Sequence, residues 1–326
     1  MIVEVINKYT PKVSVIVPIY LVENYIERCV RSLFNQTLDS IEFIFIDDCS
    51  PDTSVLILNR LVEEYSAKLD YENKEVRVIR LPKNVGLPNV RKYGVQIAKG
   101  DYILHCDSDD WTDVTMCENL YNKAVESNSD IVICDFYQAS TSSNKHIKTC
   151  YSTSKNDIII EFMYGRGYWA LWNKLIKRDL YKYVEYYPDG NMGEDMVITL
   201  QLLYYSNNIS YIDQPYYYYY INSNSIVRDT SAEKILNRFN QAIMNTQIVE
   251  KFYLDKLKGC RFRFALDSIK LRHRNLILPL IQNSEYFQLW RYTYPDLNNR
   301  VWCNPFISIR SKLKFYLILF GFLKHI

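Results

Sequence analysis

The sequence predicts an α/β protein: a mostly parallel central sheet flanked by helices, followed by a helical C-terminal extension. Three observations carry this. Short, near-continuous apolar runs such as Val13-Ser-Val-Ile-Val-Pro18 and Ile41-Glu-Phe-Ile-Phe-Ile46 have the pattern of strands covered on both faces. Segments with apolar residues at helical spacing alternate with them, as in sheets built from strand–helix–strand units. After about Ser231 helical spacing and Lys/Arg dominate. Two regions follow, 1–228 and a basic, mainly helical 229–326.

In order, the strand that starts at Val13 ends at Pro18. Ile26, Val30, Leu33 and Phe34 then stand at helical spacing across 24–34. The strand at Ile41 runs into Asp47-Asp48-Cys49-Ser50-Pro51-Asp52, and a helix over 53–68 should turn Leu56, Leu61 and Val62 inward. A third strand spans 76–81, a turn holds Asn84 and Gly86, and a helix over 87–98 is stopped by Gly100. Tyr102-Ile-Leu-His105 is a fourth strand, leading into Cys106-Asp107-Ser108-Asp109-Asp110-Trp111. A helix over 116–127 and a strand over 131–134 come next. Residues 139–157, rich in Ser, Thr, Asn and Lys, read as a surface loop. Asp189-Gly190-Asn191 reads as a turn, Glu194 and Asp195 open a helix where its dipole favours acids, and 211–221 is an extended, Tyr-rich segment.

Composition narrows the class. The chain has 326 residues, 48% hydrophobic and 23% charged, ordinary for a globular protein. Eight cysteines form no CxxC pair, so zinc spacing is absent and a reducing compartment is expected. Residues 1–10 lack the apolar core of a signal peptide, and no apolar run reaches bilayer-spanning length. The net charge of +2 hides an asymmetry: 23 Lys+Arg against 30 Asp+Glu in 1–228, and 16 against 7 in 229–326. A basic C-terminal third, with Arg261, Arg263, Lys270, Arg272, His273 and Arg274 close in sequence, suits anionic lipid, nucleic acid or a polyanionic acceptor. The stretch 310–324 is apolar between basic residues, and either docks on the body or lies on a membrane surface.

Three carboxylates within four residues, Asp107, Asp109 and Asp110, repel one another after a buried strand. Either a divalent cation sits among them or they form an acidic turn capping the next helix. In a parallel sheet, ligands bind beyond the carboxyl ends of the strands. Tyr20 and Glu23, Asp47 and Asp48, and the acidic triplet all follow such strands, which favours the cation. Trp172 reads first as a packed core ring and second as a sugar platform.

These residues resemble a known family. Val15-Ile-Val-Pro18-Ile-Tyr20, Ile46-Asp-Asp48-Cys-Ser50-Pro-Asp52, Asn84-Val-Gly86, Lys99-Gly-Asp-Tyr-Ile103, Asp107-Ser-Asp109-Asp110-Trp111, Trp172-Asn-Lys174 and Gly193-Glu-Asp195 occur in the order seen in family 2 inverting glycosyltransferases of GT-A fold, of the bacterial surface-polysaccharide type. The resemblance spans roughly 11–225 and implies the following. Pro18, Tyr20 and Glu23 cradle the nucleotide base and ribose; Asp48 contacts uracil, with Asn84 and Gly86 lining its pocket. Arg91 lies on the supporting helix and, with Ser108, belongs to the donor-binding set. Asp107 and Asp109 form the DXD motif that reaches the sugar and a divalent metal (Mn²⁺ or Mg²⁺), and Asp195 is the catalytic base. The implied partners are a UDP-sugar donor and a glycan or lipid-linked saccharide acceptor. The implied location is cytoplasmic or peripheral on the inner face of the cell membrane, through the basic C-terminal region.

The chain departs from the family at Leu21, Cys49 and Lys92, where Asn, Gly and Asn are common, and it lacks a histidine soon after the base. A nucleotidyltransferase is the enzymatic rival, but residues 18–28 hold no glycine for a phosphate loop. A catalytically inactive nucleotide-sugar-binding or scaffold protein is the rival from another class, and the retained carboxylates argue against it. No nucleic-acid-binding module is recognisable.

Overall fold

The computed structural model describes residues 10–71, 73–149, 152–188, 190–221 and 231–322. Strands β1 (Val13–Ile19), β2 (Ile41–Asp47), β3 (Glu75–Arg80) and β4 (Tyr102–His105) alternate with helices α1 (Ile26–Phe34), α2 (Ser54–Tyr71) and α3 (Leu87–Ile97). Their spatial order is β3-β2-β1-β4, all parallel. The loops after β1, β2 and β4 therefore share one edge, as the sequence led us to expect.

Beyond β4 the sheet is mixed. The chain continues through β5 (Trp111–Thr112), α4 (Met116–Glu126), β6 (Ile131–Ala139), β7 (Asn144–Ile147), α5 (Lys155–Tyr164), β8 (Lys174–Lys177), α6 (Glu194–Tyr205) and β9 (Ile209–Tyr220). Strand β8 lies antiparallel between β4 and β6, and β9 runs parallel to β6. Two antiparallel steps return β6 and β9 to the direction of β4, so their C-terminal ends reach the same edge. The 139–157 segment is not one loop: β7 pairs with β6 as a hairpin, and α5 begins at Lys155 with Ser154 as its N-cap. The turn expected at 189–191 lies partly outside the described residues.

Alternate residues of each strand enter opposite cores, as the two-residue period requires. Val13, Val15, Val17, Phe43 and Phe45 pack with α1, α2 and α4. Ile16, Ile44, Ile46 and Ile103 pack on the other face with α5 and α6. Leu56, expected inward, is exposed; Leu58 and Leu61 hold that face of α2 instead.

The C-terminal region comprises α7 (Ala232–Tyr253), α8 (Cys260–Arg274), α9 (Ser284–Tyr292), α10 (Leu297–Arg300) and α11 (Ile309–Leu319). Val249, Phe252, Tyr253, Ala265 and Ile269 join the core under α5 and α6. Half of the basic cluster on α8 turns inward, with Lys270 paired to Glu250 at 2.5 Å and His273 and Arg274 buried.

Two loop residues carry backbone strain. Leu21 (φ 55°) and Cys49 (φ 58°), after β1 and β2, lie in the left-handed region, where a side chain with a Cβ is disfavoured.

Candidate active site

The site grows from the C-terminal ends of β2 and β4 and the N-termini of α3 and α6. Gly86 (φ 82°) and Gly193 (φ 79°) make the turns that start those two helices. The turns bring three sequence-distant carboxylates onto one buried arginine. Arg91, on α3, is 2% exposed. Its Nη2 donates to Asp107 Oδ1 at 2.6 Å, and its Nη1 meets Asp195 Oδ1 at 2.5 Å and also Glu194 Oε1. Burial works against the guanidinium's charge, but Asp195, Glu194 and Asp107 together hold its pKa well above the ordinary value. Three carboxylates against one cation leave the cluster short of positive charge. Burial pushes the Glu194 carboxyl well up, and its Oε2 has no hydrogen-bond partner. Burial also raises Asp107, with Arg91 pulling against it.

Asp109 stands beside this cluster. Burial first, then the Asp107 charge, push its carboxyl up to about 6. Arg28, from α1, holds the same turn. Its guanidinium lies 3.7 Å from the Trp111 ring centroid and 4.5 Å from that of Tyr220, and donates to the Asp109 carbonyl at 3.0 Å. Asp110 is only 1% exposed and serves the fold. It accepts from the Tyr217 hydroxyl at 2.8 Å and from the Tyr220 N–H at 2.7 Å. It thus ties the acidic turn to β9, where a cap on the next helix was the structural alternative. The expected packed role of Trp172 holds, its ring stacking on Tyr217 at 4.2 Å.

The residues expected around the nucleotide gather on the neighbouring rim. Tyr20 is exposed and Pro18 half-buried. Asp48 is turned to its own loop: its carboxylate accepts from Val85 N–H at 2.7 Å and Gly86 N–H at 3.0 Å, and Asn84 donates to its carbonyl. Glu23 accepts from the N–H and hydroxyl of Thr53. Ser108 is buried. Arg91, expected among the donor contacts, is buried and bridges carboxylates, of which Glu194 is buried and Asp107 and Asp195 are each 27% exposed.

A cleft of about 280 Å³ opens beside Asp195, lined by Tyr168, Trp169, Asn191, Glu194, Ala242 and His273 among others. Asn191 links this side to the rim, its Oδ1 accepting from Leu87 N–H at 3.2 Å. Sequence reading missed Arg28, Asn191, Tyr217 and His273. Each matters through a partner more than 75 residues away or in another region, and no local pattern marks it.

Residues 14–187 match the family model for glycosyl transferase family 2. The chain belongs to glycosyl transferase family 2. EpsH of Bacillus subtilis (strain 168), a presumptive glycosyltransferase, is 30% identical over 278 residues, covering 82% of this chain and 77% of EpsH. Among solved structures, S. aureus TarS 1-349 in complex with UDP-GlcNAc superposes with a TM-score of 0.58 at 19% identity, covering 88% of this chain and 89% of TarS. The mannosyltransferase PcManGT from Pyrobaculum calidifontis, in complex with GDP-Man and Mn²⁺, does so with a TM-score of 0.56 at 14% identity, covering 95% and 79%. At these identities the likeness is one of fold, and the fold is that of the GT-A members of family 2.

Proposed function

We propose that this family 2 glycosyltransferase is metal-dependent and inverting. It moves a hexosyl or N-acetylhexosaminyl group from a UDP-sugar to a hydroxyl of a glycan or lipid-linked saccharide in cell-surface polysaccharide synthesis. One observation carries the reading: Asp107 and Asp195 meet on the same buried guanidinium. The carboxylate at the donor end and the carboxylate facing the open cleft are thereby held at a fixed, short separation.

In this reading Pro18, Tyr20, Glu23, Asp48, Asn84 and Gly86 form the nucleotide rim. Asp48 acts by holding the 84–86 turn in place. The excess of carboxylate over cation around Arg91, and the raised Asp109, fit a dication. Among the described residues no three His, Cys, Asp or Glu side chains could hold one unaided, so the donor's phosphates would complete its coordination. Asp109 with Asp107 would hold Mn²⁺ or Mg²⁺, which supplies Lewis-acid neutralisation of the departing diphosphate. Asp195 takes the proton of the acceptor hydroxyl as that oxygen attacks the sugar C1, contributing typically about 10²–10⁴-fold. Attack from the face opposite the leaving group inverts the anomeric centre. Arg91 keeps Asp195 aimed and never meets substrate. Region 1–228 is the catalytic domain, and 229–326 closes its acceptor side.

A peripheral membrane contact on the cytoplasmic face is part of the proposal, and α11 supports it. Ile309, Leu313 and Leu317 recur every fourth residue and, with Phe320 and Phe322, are 42–77% exposed, beside exposed Arg310 and Lys314. No helix of the described residues is long and apolar enough to cross a membrane.

The decisive assay follows UDP release from a panel of UDP-sugars with Mn²⁺, Mg²⁺ or chelator. Metal-dependent release from at least one donor is expected. Release from none, with other nucleotide sugars turned over instead, would overturn the donor assignment.

A further inference from the structure

His273 arrives in the cleft from α8, outside the region matched by the family model. It is 5% exposed and packs edge-on against Trp169, with ring centroids 5.7 Å apart. Its Nδ1 lies 2.6 Å from Thr246 Oγ1, and the Ala242 carbonyl lies close to the ring. A carbonyl only accepts, and Thr246 already donates its single hydroxyl proton to that same carbonyl at 2.8 Å. Nδ1 therefore carries the imidazole proton and donates. Nε2 is left as a bare lone pair with no hydrogen-bond partner among the described residues. Burial holds this imidazole's pKa down to about 4, so the ring is neutral near pH 7.

The ring is buried, but Nε2 is not among the buried atoms left without a partner, so it keeps contact with solvent that an incoming donor can displace. The cleft it lines contains the proposed base, Asp195, and the 41%-exposed ring of Tyr168. A saccharide matches both surfaces: its C–H face covers an aromatic ring, and its hydroxyls donate. We infer that His273 Nε2 accepts a hydrogen bond from a second, non-reacting hydroxyl of the acceptor sugar, making the C-terminal helices a determinant of acceptor specificity. Asp195 takes the reacting hydroxyl, while His273 reads a neighbouring one and fixes the ring's orientation. A site that demands a hydroxyl rejects the deoxy analogue strongly, because the locked acceptor is then left unpaired. The inference rests on the glycosyltransferase reading and adds the partner of one atom to it.

The experiment uses the full chain, UDP-sugar, and p-nitrophenyl glucoside, galactoside and N-acetylglucosaminide as acceptor probes. Long-range ¹H–¹⁵N spectra identify the His273 nitrogens by their loss in His273→Gln. The expected result is a free-imidazole Nε2 signal that moves on adding the glycoside that is glycosylated, while Nδ1 stays protonated. The acceptor KM should rise about tenfold in His273→Gln, the worth of one buried neutral hydrogen bond, with a smaller change in kcat. Thr246→Val, which removes the lock but keeps the imidazole, should raise KM to an intermediate degree. An Nε2 signal unmoved by a turned-over glycoside overturns the inference, as does an unchanged acceptor KM in folded His273→Gln. An Nε2 signal moved by Mg²⁺ and UDP alone overturns it too, by assigning the lone pair to the donor side. Failure to turn over any nucleotide sugar would instead reject the glycosyltransferase reading itself.

Discussion

Asp107 and Asp195 share one guanidinium: Arg91 reaches the first at 2.6 Å and the second at 2.5 Å from its two terminal nitrogens. Both are drawn toward a charge that is itself out of water. Arg91→Lys should therefore fail despite keeping the charge, because a single ammonium cannot bridge both carboxylates and Glu194. Leaving buried carboxylates uncompensated is expected to cost about 3–5 kcal/mol. The urea midpoint should fall accordingly, and kcat should drop even at temperatures where the variant is folded.

Asp195→Asn removes the proposed base while keeping its shape. Transfer should fall by at least about 10²-fold, with UDP affinity measured by calorimetry changed far less. Normal transfer by this variant would move the role of base to another group.

Asp109→Ala should erase the difference in donor affinity between Mn²⁺ and chelator. Titration calorimetry reads this directly. A donor that binds wild-type protein equally well under both conditions would dismiss the metal.

Leu313→Glu combined with Leu317→Glu puts charge on the exposed face of α11 and leaves the buried Phe315, Ile318 and Leu319 in place. Co-sedimentation with vesicles containing anionic lipid should be lost, and turnover of a soluble acceptor kept. Retention equal to wild type would leave the stripe without a lipid role; a fall in oligomer size would point instead to a second copy of the chain.

Folding stability should depend on His273 in a defined window. Burial holds its pKa down to about 4, against 6.5 for a free imidazole. A depressed value means the stabilisation is full above pH 6.5 and is lost as pH falls through about 4, with about 3 kcal/mol as the upper bound. The difference in stability between wild type and His273→Gln, measured by denaturant titration from pH 7 to 4, should shrink across that interval.

The parallel half of the fold was legible because β1, β2 and β4 are buried on both faces and announce themselves as apolar runs. The mixed half was less so. Strand β8 has four residues, and nothing in Lys174-Leu-Ile-Lys177 says that it inserts antiparallel between β4 and β6. Strand β7 is polar because it pairs on one side and faces solvent, so its composition resembles a loop. Within the site, motif order alone singles out Asp107, Asp109 and Asp195 and leaves Asp110 as the member most open to a structural role, but it does not show what holds Asp110. Its partners, Tyr217 and Tyr220, lie more than 100 residues away within a run of five tyrosines that gives no sign of which ring turns inward.

Leu21 and Cys49 stand where the family commonly has Asn and Gly, the two residues that enter the left-handed region most readily, and both positions have positive φ. The chain thus holds these two turns uphill, by roughly 1–2 kcal/mol each. Both turns adjoin the residues proposed for the nucleotide rim, so replacing Leu21 with Asn and Cys49 with Gly should stiffen these turns without altering the carboxylates or Arg91. The stability of these two turns can then change while the geometry of the carboxylate cluster stays as it is.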